Sequence, residues 1–165
     1  MTGFSSKNRL DGYLLELKNP DPEVRRRAAY NLSNLEDSSA VPHLINALSD
    51  KDRRVRWRVA YTLGDFGEMG SNEAFEALVS HLKAEPDWNV RRIIVMAFRH
   101  WGKRAIPPLI RALSDESEYV RRYAVMTLGF KKAKEAAPLL KKLATKDPSK
   151  IVRDYSKWAL NEIVG

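Results

Sequence analysis

The chain has 165 residues, 44% hydrophobic and 30% charged, with a formal net charge of +8 and a pI near 9.8, a balance that fits one soluble globular domain. Cysteine is absent, which excludes disulfides, thiolate nucleophiles and cysteine metal sites. The longest apolar run, 93–98, is too short to cross a bilayer, and no hydrophobic stretch follows the N-terminal Met-Thr-Gly-Phe-Ser-Ser-Lys, so we expect no membrane insertion, no secretory signal and a cytoplasmic setting.

The predicted elements come as pairs of helices. In the first pair, 8–38, one helix runs to Leu17 and the second opens at Asp21-Pro22. An aspartate there accepts bonds from unpaired N–H groups of the first turn, and proline fits the first helical position. Val24, Ala28, Ala29 and Leu32 then share one side of that helix, because about 100° per residue brings positions zero, four, five and eight together.

In the second pair, 39–72, Ala40-Val41-Pro42-His43-Leu44 opens a helix reaching Leu48. Asp52 then caps the helix carrying Val55, Val59, Ala60 and Leu63. Gly64, Gly67 and Gly70 follow with no strand before them, which predicts a turn and not a phosphate loop.

The third pair, 73–103, begins Ala74-Phe75-Glu76-Ala77-Leu78, without the proline, and reaches Leu82. Asp87 caps the helix of Val90, Ile94, Val95 and Phe98. The fourth, 104–134, begins Ala105-Ile106-Pro107-Pro108-Leu109 and reaches Leu113, with Ser117 before Val120, Ala124, Val125 and Leu128. The fifth, 135–164, begins Ala136-Ala137-Pro138-Leu139-Leu140 and reaches Leu143, with Ser149 before Val152, Ser156, Lys157 and Leu160. Lys157 breaks the apolar stripe, as a terminal repeat with no neighbour beyond it allows.

An arginine follows the valine every time, at Arg25, Arg56, Arg91, Arg121 and Arg153, with spacings of 31, 35, 30 and 32 residues. Units of this length cannot bury an apolar face alone and must stack on their neighbours. The expected fold is all-α, a superhelical solenoid of about five two-helix repeats in a single domain over 1–165. No segment alternates with period two, so no strands are predicted.

The phrase Ala-x-Pro-x-Leu-x-x-x-Leu, an acidic residue, then Val-Arg-x-x-Ala-Ala-x-x-Leu resembles HEAT repeats of the phycobilisome-lyase-like type across residues 10–163. The resemblance implies a buried ladder in which Asp50, Glu85, Asp115 and Asp147 meet the arginines that follow the valines, with Asn19 departing from the acidic pattern. Those arginines are structural. The family serves many unrelated tasks, so the resemblance leaves function open.

Positions two, three and six lie opposite the core stripe. They hold Arg26, Arg27 and Tyr30; Trp57, Arg58 and Tyr61; Arg92, Ile93 and Met96; Arg122, Tyr123 and Met126; and Asp154, Tyr155 and Trp158. Six of these fifteen are aromatic, five are arginine and one is acidic. Solvated helix faces favour Lys, Glu and Gln, whereas Arg with Trp, Tyr and Met is the make-up of binding hot spots. If second helices line the concave side, this face with Trp88 beside it forms a basic, aromatic groove, its preferred zone running from Trp57 through Arg92 to Tyr123. The alternative is that the superhelix buries part of it as packing.

No enzyme motif emerges. His43, His81 and His100 lack metal-ligand spacing, no cofactor motif is present, and no His-Glu dipeptide occurs such as di-iron HEAT-like hydroxylases carry. The expected function is a non-enzymatic scaffold holding a protein or peptide partner of acidic character. The alternative is a nucleic-acid binder related to HEAT-like alkylpurine DNA glycosylases, with Asp65 or Asp154 replacing an acid where Arg92 stands. A bilin-lyase-like protein is a lesser alternative. Oligomeric state is not legible.

Overall fold

The computed structural model describes residues 6–164, and among these every regular element is helical. Contacts divide the chain into two compact units, 1–85 and 86–165.

The first unit holds α1 (Ser6–Glu16), α2 (Pro22–Ser33), α3 (Val41–Ala47), α4 (Arg53–Glu68) and α5 (Asn72–Ala84). The starts follow local chemistry. The carboxylates of Asp21 and Asp52 accept from the backbone N–H groups of Glu23 and Arg54 at 2.9 and 2.8 Å, and Pro42 stands in the first turn of α3, where its missing N–H costs nothing. Ala28, Ala29 and Leu32 of α2 and Val55, Val59, Ala60 and Leu63 of α4 are buried.

The second unit holds α6 (Trp88–Ala97), α7 (Ile106–Ala112), α8 (Glu118–Phe130), α9 (Ala137–Lys146) and α10 (Lys150–Val164). Asp87 caps α6 through Asn89 N and Val90 N. Ser117 differs from expectation: its side chain caps nothing, and Asp115 instead accepts the Ser117 N–H at 2.8 Å. Helix α10 packs on both α8 and α9, and Lys157, off the core stripe, is exposed.

Within each unit the arginine after the valine reaches the acid of the next pair, except Arg153 of the last pair, which binds the backbone carbonyls of Asp147 and Pro148. Arg25 grips Asp50 with Nε and Nη2 at 2.6 and 2.8 Å. Arg56 holds Glu85 at 2.9 and 2.8 Å, Arg91 holds Asp115 at 2.8 and 3.0 Å, and Arg121 holds Asp147 at 2.8 and 2.9 Å. Two parallel N–H···O bonds fix geometry as well as charge. Burial pushes the Asp50 carboxyl up, but the hydrogen bonds from Arg25 and Asp52 N outweigh it and hold it below the usual carboxylate range. The same bonds raise Arg25, Arg91 and Arg121.

Nη1 of each ladder arginine binds a backbone carbonyl earlier in its own repeat, as Arg121 does Asp115 O and Glu116 O at 2.8 and 3.0 Å. Asn19 supplies that carbonyl to Arg25, and its side chain accepts Asp21 N at 2.9 Å. It closes the turn without being a charge partner.

Two expectations need correcting. Gly64 and Gly67 are not in a turn: both are buried inside α4, which runs to Glu68, and Gly70, with φ at +79°, makes the turn. A helical glycine costs about 1 kcal/mol relative to alanine, but burial of Leu63 and Phe66 and the Thr62 Oγ1 bond to Ala29 O at 3.0 Å carry the helix past them. Ile93 is not on the outer face; it is 3% exposed. Position three lies only about 125° from the centre of the core stripe, and an apolar side chain there turns inward.

Two consequences are measurable. Beside Arg54, whose side chain hydrogen-bonds its carboxylate, Asp52 titrates at about 2 instead of 3.8. A depressed carboxylate stabilises the fold above its unfolded pKa and loses that contribution as pH falls through its folded one. Asp52→Ala should therefore cost about 1 kcal/mol at pH 7, and urea titrations should show the gap to the parent closing between pH 4 and 2. At Gly129 an added Cβ would lie 2.8 Å from Trp158 Cζ3 and 3.1 Å from the Ala159 Cα. Gly129→Ala should destabilise by about 1–3 kcal/mol in the same titration, despite alanine's better helix propensity.

Candidate binding faces

In the first unit the outer face is organised around Arg58. Its guanidinium carbon stands 5.1 Å from the Trp57 ring, 5.2 Å from Tyr30 and 5.5 Å from Tyr61, so α2 and α4 both contribute rings. Trp57 and Tyr61 are themselves stacked, with centroids 5.8 Å apart at 17°. Arg58 Nε is buried with no protein acceptor in reach. Arg26 is neutralised by Glu23 at 2.8 Å, and Glu23 also takes Arg54 at 2.9 Å. Arg27 is exposed.

In the second unit, rings and guanidinium groups alternate across α6 and α8. Trp88 stacks on Tyr119 at 4.8 Å and 25°. Arg122 lies 5.5 Å from the Tyr119 ring and 5.2 Å from Tyr123, and Arg92 lies 5.3 Å from Tyr123. Arg92 is steered by Asn89 Oδ1, which accepts from Nε and Nη2 at 3.0 and 2.7 Å; Met96 Sδ lies 3.4 Å from Nη1. Arg122 Nε, like that of Arg58, is buried without an acceptor.

Met96 and Met126 border a cavity of about 270 Å³ with Tyr123 and Phe130. On α10, Trp158 meets Phe130 edge-on at 5.0 Å and Tyr155 at 6.3 Å.

None of the fourteen residues expected to contact a partner is buried. Arg27, Tyr30, Tyr61, Trp88 and Tyr155 are exposed, and Arg26, Trp57, Arg58, Arg92, Met96, Arg122, Tyr123, Met126 and Trp158 are half-buried. Two residues escaped the sequence reading. Tyr119 is 42% exposed and Phe130 71%. Tyr119 stands four residues before Tyr123, so helical i,i+4 adjacency was the signal that could have found it.

Residues 10–99 and 75–161 match the family of HEAT repeats. The chain belongs to the HEAT-repeat family. No curated protein matches the sequence. Among solved structures, this HEAT-repeat chain is similar to the complex of CpcE and CpcF of phycocyanin lyase from Nostoc sp. PCC7120, at 22% identity over 99% of this chain and 66% of that one, TM-score 0.73. It is also similar to a designed armadillo repeat protein in complex with the peptide (KR)4, at 19% identity over 93% and 81%, TM-score 0.68. An engineered protein shares 20% identity over 98% and 85%, TM-score 0.64. Identities this low establish fold alone, an all-α helical-repeat solenoid.

Chemistry within the HEAT repeats is sparse. Among the described residues no group of three or more His, Asp or Glu side chains is placed to hold a metal. His81 Nε2 bonds Glu85 at 2.8 Å, and His43 is exposed. Asp65, one candidate acid, accepts Ser33 Oγ at 2.6 Å; the other, Asp154, is paired with Lys150 at 2.6 Å. Among the described residues no helix is long and apolar enough to cross a membrane.

Proposed function

We propose that this HEAT-repeat chain is a binding scaffold whose outer helix faces hold acidic segments of a protein partner. One observation carries the reading. The ladder arginines Arg25, Arg56, Arg91 and Arg121 each hold a carboxylate, whereas Arg58 and Arg122 are positioned by aromatic rings alone and Arg92 by a ring, an amide and a thioether. A guanidinium held over rings keeps its outer N–H groups available for a bidentate carboxylate, and nearby Trp and Tyr supply apolar anchors.

The related fold supports the same reading by its sign. The designed armadillo protein was captured with a basic peptide; here the faces and the net charge of +8 are positive, and the complementary segment is acidic. The absence of cysteine suits a reducing compartment such as the cytoplasm.

Nucleic acid is the second reading, favoured by the Trp88–Tyr119 stack beside Arg122, since bases stack on such rings. Fluorescence anisotropy of a labelled Glu-rich peptide and a labelled single-stranded oligonucleotide, each at low and physiological salt, separates the two. The scaffold reading expects saturable peptide binding at both salts and oligonucleotide binding that collapses as salt rises. Oligonucleotide binding that persists while the peptide fails to bind overturns it.

A further inference from the structure

The cavity of the second unit lies where α6 and α8 end, and its lining has two characters. Met96, Met126, Tyr123 and Phe130 make an apolar wall, while Arg99 and Lys131 bring two cations. No acidic side chain is among its lining residues. Lys131 Nζ is tied at 3.1 Å to the backbone carbonyl of Arg99, and burial holds its ammonium below the ordinary lysine range. Arg99, an exposed residue, uses Nε on His100 at 2.8 Å. The Thr127 hydroxyl donates to Tyr123 O at 2.8 Å, so the donors the lining keeps for a ligand are the two cations and the Tyr123 phenol.

Size limits the occupant. At about 270 Å³ the space falls just under the roughly 300–1,000 Å³ of sites that enclose a small molecule. It suits one protruding side chain. Methionine walls adapt to aliphatic or aromatic shapes, and the edge-on contact with Trp158 at 5.0 Å props the exposed Phe130 ring at the rim.

Resting on the acidic-segment reading, we infer that this cavity is a specificity pocket that takes one apolar side chain of the bound peptide, with an adjacent carboxylate paired by Lys131 and Arg99. The preferred partner is thus a segment in which a leucine-sized or larger apolar residue interrupts an acidic run. Uniformly acidic chains should bind less well.

The test uses two labelled Glu-rich peptides of equal charge, one with a central leucine and one with glycine in its place. Burying the leucine should make its peptide about tenfold tighter. Met126→Trp, which fills the cavity, should erase the difference in affinity between the two peptides. In the methyl-labelled parent protein, the leucine peptide should shift the NMR signals of Met96 and Met126 and the glycine peptide should not, a readout independent of whether the variant folds. Equal affinities, or saturation by the leucine peptide without movement of those methyls, overturn the pocket and leave the scaffold reading standing. Failure of both peptides to bind overturns the scaffold reading and the pocket with it.

Discussion

Arg121→Ala will lower the unfolding free energy by about 3–5 kcal/mol, the cost of leaving one partner of a buried ion pair alone. The side chains of Arg121 and Asp147 are 10% and 1% exposed. Truncation therefore strands a carboxylate in the interior and also releases the Asp115 and Glu116 carbonyls. For a chain of this size each kcal/mol is worth about 2–4 °C of melting temperature, which a thermal scan resolves easily. Because α10 packs on α8 and α9, hydrogen exchange should quicken first in α9 and α10. Replacing both partners, Arg121→Met with Asp147→Leu, should recover most of the loss, since an apolar pair avoids the desolvation that the charges suffer. A loss below about 1 kcal/mol in the single variant would mean that the pair behaves like a solvent-screened surface bridge.

Arg122→Glu, one residue further on, will have the opposite profile. Arg122 has no carboxylate and is placed by the Tyr119 and Tyr123 rings, interactions worth about 0.5–1 kcal/mol each where solvent reaches them. Stability should fall by no more than about 2 kcal/mol. Affinity for the Glu-rich peptide should fall much further: truncating a hot-spot arginine costs about 2 kcal/mol or more, roughly thirtyfold, and reversal adds repulsion. Anisotropy titration reads the affinity and circular dichroism checks the fold. Unchanged affinity in a folded variant would remove Arg122 from the binding face, and loss of folding would make it a packing residue. Arg58→Glu offers the same comparison in the first unit, against three rings in place of two.

Neighbouring arginines can be assigned such different roles because a helix turns about 100° between them. That rotation puts Arg91 and Arg121 beside carboxylates and Arg92 and Arg122 among rings, and it is legible in the Val-Arg-Arg spacing. Aspartate caps were legible because each acts within a few residues, whereas the acid of each ladder rung was what the resemblance to HEAT repeats implied. Asn19 looked like a defect in the pattern. Its side chain performs the turn-closing half of the carboxylate's task, and a motif alone cannot separate that half from charge pairing.

The misreadings have a common origin. Gly64 and Gly67 read as a turn because no strand precedes them, but the packing of Leu63 and Phe66 outweighs the roughly 1 kcal/mol that a helical glycine costs. Ile93 was judged by its angle on one helix, with no account of what covers the stripe's edge. Tyr119 was missed because only fixed positions after the valine were read, whereas its value comes from stacking on Trp88 of another helix.

By itself, then, the sequence determined the helices, their aspartate caps and the composition of the outer face, all properties of short range or strict period, and its family resemblance implied the ladder. Tertiary structure alone decided that Tyr30 joins Trp57 and Tyr61 around Arg58, that Arg92 and Arg122 share Tyr123, and that Met96, Phe130 and Lys131 enclose one cavity. Each of these sets draws on two helices, and periodicity along one helix fixes directions about its axis but not the distance to side chains on the next.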